Sequence, residues 1–205
     1  EIRAVCDRDI NLAEKRKSEW GAAKAHEDYR ALLDDPEVDA VEILTPHTLH
    51  ETMTLNSLDA GKHVALQKPM TVSKKSADLL ADKAGRSDRV CKLTENYLFY
   101  PPIQKAKEII QSGDIGEPTN IFLKLIAGGS GGWEVPDSAW AWRLEEYSLG
   151  RGMQTFDHGH HLWSTAWHLM GPMEMVKAWI GCTDQVVDSP GAILWKHLGR
   201  EACGL

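Results

Sequence analysis

The stretch "QTFDHGHHLW" (154–163) gathers Asp157, His158, His160 and His161 within little more than one helical turn. A carboxylate beside imidazoles can bind a metal, exchange protons with a substrate, or form an ordinary surface pair. Spacing narrows the cluster. Met153, Phe156, His160, Trp163, Trp167 and Met170 recur at steps of three and four, which predicts one mostly apolar face of a helix running to Met170. Asp157, His161 and His168 fall on another face, with Asp157 and His161 one turn apart and able to converge on one small object. His158 points elsewhere. Gly159 is a poor helix former and predicts close approach by a ligand or another backbone. A metal would need further ligands, and no H-E-x-x-H signature supplies them. The surface-pair, metal and acid/base readings all remain open on this motif alone.

Other residues extend the choice. Asp7 ends a short apolar strand, where an acid in a dinucleotide-binding fold accepts the ribose hydroxyls and favours NAD over NADP; the adjacent Arg8 can pair with a 2′-phosphate. "LTPHTLH" (44–50) follows the next strand, and ligands of open α/β sheets bind at carboxyl ends of strands. There Thr45 offers a hydroxyl and Pro46 stiffens the turn. In "LQKPM" (66–70), Lys68 follows a strand and precedes a proline, so its backbone is restricted. Its ammonium can favour a substrate alkoxide, although a solvated surface lysine is the commoner case on this motif alone. Five of eight tryptophans lie from Trp133 to Trp167, after Gly128, Gly129, Gly131 and Gly132. A loop over 128–152 is expected, serving as a lid or sugar-binding wall or packing a second core. Trp142, Arg143 and His160 are the candidates for substrate contact.

The elements that must position these residues alternate. Strands are expected at 2–7, 38–46, 63–67 and 90–96, and helices at 11–21, 27–35, 47–62 and 73–85, with Ser73 as N-cap. Short links between them predict βαβ units and a parallel sheet. A helix over 103–113, a longer half-alternating strand over 119–127 and a strand over 174–184 follow. A domain change is expected near residue 118, giving units of 1–118 and 119–205.

Composition fits a soluble globular protein: 205 residues, 42% hydrophobic and 26% charged. A net charge of −7 with no basic stripe argues against nucleic acid as partner. No apolar run approaches the roughly 18–20 residues of a membrane span. Cys6, Cys91, Cys182 and Cys203 are scattered, which argues against a zinc-thiolate site or disulfide framework and for a cytoplasmic location. The chain opens directly on a strand and closes soon after an apolar run, so an internal fragment is expected.

In order along the chain, "AVCDRD", "DAVEILTPHTLH", "AGKHVALQKP", "SGDIGEP" and "GRGMQTFDHGHH" together resemble the Gfo/Idh/MocA oxidoreductases, a family named for glucose–fructose oxidoreductase and inositol dehydrogenase. The resemblance implies an α/β fold: a Rossmann-type parallel sheet, N-terminally incomplete without its first strand and G-x-G-x-x-G turn, then a partial α/β domain with an open, mostly antiparallel sheet. It implies hydride transfer between a nicotinamide and a hydroxyl-bearing carbon of a sugar, polyol or cyclitol. Lys68, Asp157 and His161 match the family's catalytic lysine, aspartate and histidine. The histidine would take the hydroxyl proton, the lysine would stabilise the alkoxide, and the aspartate would position substrate and bias the histidine's charge. The cofactor would be NAD, with NADP as the alternative, and its contacts are expected from Asp7, Arg8, Leu44, Thr45, Pro46, His50, Gln67, Lys68 and Asn96. Gln67 replaces the family's glutamate before the lysine. The fragment alone is expected to bind NAD weakly and turn over little, and the full-length protein to be a homo-oligomer. A non-catalytic dinucleotide sensor and a metal-dependent hydrolase or isomerase are the alternatives.

Overall fold

The computed structural model describes residues 1–125, 137–149, 154–181 and 191–205. Among them the chain forms two compact units, Glu1–Thr94 and Glu95–Leu205.

In the first unit, short strands alternate with helices in the expected order. They are β1 (Ala4–Cys6), α1 (Ile10–Trp20), β2 (Lys24–His26), α2 (Tyr29–Leu33), β3 (Ala40–Ile43), α3 (His50–Asp59), β4 (His63–Gln67), α4 (Lys74–Arg86) and β5 (Cys91–Thr94). The helix ends follow local chemistry. The Asp9 carboxylate caps α1 by accepting from Asn11 N, and Gly21 closes it in the left-handed region, with φ 69°. Ser73 caps α4 as expected, accepting from the Ser76 N–H. All strand pairings are parallel: β1 with β2, and β4 between β3 and β5. β1 and β3 are not paired with each other; in the doubly wound order 3-2-1-4-5-6, one strand stands between the corresponding pair. The core packs Ile43, Val64 and Leu66 of the sheet against Leu58 of α3 and Leu80 of α4. β2 is absent from the sequence expectation. Residues 44–49 are not strand: His47–Leu49 form a 3-10 turn leading into α3.

The second unit begins with a 3-10 turn (Tyr97–Phe99) and α5 (Pro101–Ser112). Then come β6 (Asn120–Ile121), α6 (Asp137–Ser148), α7 (Gln154–Asp157), α8 (Gly159–Met170), β7 (Met173–Ile180), β8 (Gly191–His197) and β9 (Cys203–Gly204). The sheet order is β6-β9-β8-β7; β7–β8 and β8–β9 are antiparallel and β6–β9 parallel, a mixed sheet with antiparallel pairing in the majority. The division falls after residue 94 rather than near 118, because α5 belongs to this unit's core. Its Ile103, Ala106 and Ile110 pack on Leu169 and Met170 of α8, and Lys107 Nζ donates to the His168 carbonyl at the C-terminus of that helix.

Three further expectations are corrected. Residues 137–148 of the expected loop are helix α6; the glycines before it and residues 150–153 lie outside the described residues. The strand over 119–127 shortens to Asn120–Ile121. The helix over the histidine cluster is interrupted at His158, and its inward face carries Thr165, Ala166, Leu169 and Met170, while Trp167 is 56% exposed.

Candidate active site

The Glu1–Thr94 unit presents its candidate residues at carboxyl ends of parallel strands. Asp7 and Arg8 follow β1, Leu44 to Pro46 follow β3, and Gln67 and Lys68 follow β4. The Asp7 carboxylate accepts from the Asp9 N–H, and Arg8 is exposed. Leu44 is 60% exposed, unusual for an apolar residue directly after a core strand. Thr45 Oγ1 is buried and has no hydrogen-bond partner among the described residues. An orphaned hydroxyl is expensive inside a protein. At the end of a parallel strand, it fits a ligand donor or acceptor such as a dinucleotide. Gln67 folds back, its Oε1 accepting from the Lys68 N–H at 2.8 Å, which fixes the backbone from which the half-buried Lys68 projects.

His50 departs from expectation. It is fully buried, with Nδ1 2.8 Å from the Pro69 carbonyl and Nε2 2.9 Å from the Thr45 carbonyl. Both ring nitrogens are committed to backbone, so His50 braces the turn after β3 against the turn after β4 instead of reaching a cofactor. The two cysteines near these strands are free thiols. Burial, then Asp28 and Asp7, push the Cys6 thiol up to about 11, and burial raises Cys91.

In the second unit, His161 sits in the first turn of α8. Its Nδ1 lies 2.6 Å from Glu95 Oε1. An ionised carboxylate only accepts, so Nδ1 donates. The ring stacks on Tyr97, with centroids 3.9 Å apart and planes 13° apart. Nε2 has no hydrogen bond among the described residues. Glu95 is 6% exposed, and the same Oε1 accepts from the Tyr97 N–H at 3.0 Å. Burial pushes its carboxyl up, but the hydrogen bonds from His161 and Tyr97 outweigh that and hold it below its ordinary value. Glu95 was missed in sequence, where it reads as the tail of a strand. An acid beside Asn96 at a strand's carboxyl end was the available signal.

Asp157 is also buried, and its partner is Arg143: Nε donates to Oδ2 at 3.0 Å. No hydrogen bond or ion pair joins His161 to Asp157 among the described residues; the carboxylate that meets the histidine is Glu95. Arg143 also donates to the Ala139 carbonyl and stacks its guanidinium on Trp142, 4.2 Å from the ring centre. His160 lies between Phe156 and Trp163, with centroids 6.4 and 5.9 Å away, on the aromatic face. Asn96 is exposed at the start of the 3-10 turn. Gly159 is crowded by the Trp163 ring: a Cβ there would meet Cζ2 at 2.8 Å. Among the described residues, what passes close is a side chain of the same helix rather than another backbone.

Parallel βαβ units followed by a mixed-sheet domain with a carboxylate-held histidine define the class as a nucleotide-binding oxidoreductase fold. The profile described as "Oxidoreductase family, NAD-binding Rossmann fold" matches residues 1–95, and the GFO/IDH/MocA C-terminal domain matches residues 103–200. The chain belongs to the GFO/IDH/MocA family. Among its relatives, a levoglucosan dehydrogenase of Pseudarthrobacter phenanthrenivorans is 26% identical over 177 residues, covering 86% of this chain and 44% of its own length. The dTDP-3,4-didehydro-2,6-dideoxy-alpha-D-glucose 3-reductase of Saccharopolyspora spinosa is 30% identical over 203 residues, covering 97% and 58%. The crystal structure of an NAD binding oxidoreductase from Klebsiella pneumoniae superposes with a TM-score of 0.81 at 30% identity, covering all of this chain and 56% of its own. The chain thus spans about half the length of the relatives it matches. No helix among the described residues is long and apolar enough to cross a membrane.

Proposed function

We propose that the complete protein is an NAD(P)-dependent oxidoreductase that moves a hydride between nicotinamide and a hydroxyl-bearing carbon of a sugar, polyol or cyclitol. The observation that carries this reading is His161. One ring nitrogen is held by a buried carboxylate and the other has no hydrogen bond among the described residues, as a proton acceptor requires. When bound, NAD supplies the carbon that accepts the hydride. His161 Nε2 takes the hydroxyl proton as that hydride leaves. Lys68 donates a hydrogen bond to the developing alkoxide. Asp157, paired with Arg143, orients the substrate.

The orphaned Thr45 hydroxyl and exposed Leu44 support a dinucleotide at the carboxyl ends of the first unit's strands. Asp7 supports NAD over NADP, as an acid that would accept ribose hydroxyls and repel a 2′-phosphate. Relatives that act on an anhydrosugar and a deoxysugar nucleotide by name support the substrate class. Self-association of the complete protein is a separate proposal, supported by the exposure of Val176, Trp179 and Leu194 on the β7–β8 ribbon; sedimentation velocity checks it.

The test of function is NADH formation by the complete protein over a panel of polyols and sugars. His161→Asn and Lys68→Ala should each lower turnover by a factor on the order of 100 or more while NAD still binds. Near-native rates in both variants would overturn the assignment.

A further inference from the structure

We propose that Glu95 is the positioning residue for His161, fixing the ring tautomer and orientation that leave Nε2 as the proton acceptor. This rests on the reading of His161 as the acid/base group, and it adds a residue outside the lysine, aspartate and histidine carried by the sequence motifs.

Three contacts define the arrangement. Glu95 Oε1 receives His161 Nδ1 at 2.6 Å and the Tyr97 N–H at 3.0 Å. The first bond places the ring proton on Nδ1, because a carboxylate has nothing to donate. The second anchors the carboxylate to the backbone of the 3-10 turn, so the acceptor does not move when the ring does. Tyr97 then lies flat on the imidazole, 3.9 Å between centroids, which restricts rotation of the ring about its own axis. From the other side, the His161 carbonyl accepts from Thr165 Oγ1 within α8.

The electrostatics point the same way. Glu95 is 6% exposed, and Oε2 is buried without a hydrogen bond among the described residues. A fold tolerates such an unsatisfied oxygen when its charge is used. Here, a proton arriving at Nε2 turns the ring into an imidazolium directly against that charge. The carboxylate thus selects the tautomer that starts hydroxyl oxidation and lies beside the imidazolium that it produces.

The experiment uses the complete protein with 15N-labelled histidine. Side-chain NMR reads the tautomer of His161, assigned by its loss in His161→Asn, alongside kcat and KM for wild type, Glu95→Gln and Glu95→Ala. In Glu95→Gln the Tyr97 N–H orients the amide oxygen toward the ring, so the Nδ1–H tautomer persists without the charge. The expected result is a kcat lowered about tenfold with KM unchanged, from loss of the charge beside the imidazolium while the orienting bond is kept. Glu95→Ala should give a mixture of tautomers and a larger fall in kcat. A His161 that keeps the pure Nδ1–H tautomer in Glu95→Ala overturns the proposal. A kcat within twofold of wild type in Glu95→Ala does so too, as does loss of the Nδ1–H tautomer in Glu95→Gln, which keeps the size and hydrogen bond on which folding depends. The tautomer readout needs no turnover, so it stands even where His161→Asn keeps its activity and only the acid/base reading fails.

Discussion

Arg143 Nε donates to Asp157 Oδ2 at 3.0 Å, and both side chains are largely buried. Arg143 is thereby a holder of Asp157 before it is anything to a substrate. Removing one member of a buried pair leaves a charge short of its partner, which costs about 3 kcal/mol or more. Arg143→Met should lower stability by that order in urea unfolding. The double variant Arg143→Met/Asp157→Asn should lose less than the two single losses added together, because the stranded charge is gone. Strict additivity would show that the pair is not coupled.

Gly159 is set by packing. Its Cβ would fall 2.8 Å from Trp163 Cζ2 and 2.9 Å from Cη2, so the indole must move. Alanine ordinarily gains up to about 1 kcal/mol over glycine inside a helix. Here overpacking, about 1–3 kcal/mol, is expected to win, and Gly159→Ala should lower Tm. Adding Trp163→Leu should restore it by clearing the space. A higher Tm for Gly159→Ala alone would show that the ring yields freely.

What the sequence disclosed and what it hid follow the same physics. β4 was legible to the residue because "HVALQ" is a short apolar run ended by Lys68–Pro69, and α4 because Ser73 caps an amphipathic repeat. β2 was not: "KAH" has one apolar residue and becomes strand through its parallel register with β1. α6 was hidden by the glycine run before it and by tryptophans that suggested a wall. Of the candidate site, Lys68, Asp157 and His161 stood out as side chains with chemistry. Glu95 did not, because its meaning comes from a histidine 66 positions later. The spacing rule put Asp157 and His161 one turn apart on one helix, which is interrupted at His158, and it said nothing of Arg143 or Glu95, which reach them from other elements.

Asp35 predicts part of the acid sensitivity of the first unit. Its carboxylate accepts from Lys24 Nζ at 2.7 Å and the Glu37 N–H at 3.0 Å, with Arg3 Nε at 3.8 Å. The Lys24 bond first, then the Glu37 N–H, hold its carboxyl below the usual value of 3.8. A carboxylate lowered on folding adds stability that is complete above its unfolded pKa and lost as pH falls through the folded one. Asp35→Asn should therefore be less stable than wild type at pH 7, and the gap should close as the pH falls below the ordinary carboxylate range. Chemical unfolding at several pH values measures it; a gap independent of pH would mean that the charge is not what Asp35 contributes.

Thr45 separates a ligand-binding role from a structural one. Its Oγ1 is buried without a hydrogen bond, at the end of β3 where the chain turns toward α3. Valine has nearly the same shape and no hydroxyl. A structural hydroxyl would be missed on substitution; an unpartnered one would not. Thr45→Val should therefore keep or slightly raise the Tm, since a buried unsatisfied group costs about 1–3 kcal/mol. If the hydroxyl is held for the cofactor, NAD affinity of the complete protein should fall by about 1 kcal/mol, roughly fivefold in Kd. Calorimetric titration with NAD decides it: unchanged Kd removes Thr45 from the cofactor site, and a lower Tm reassigns its hydroxyl to the fold.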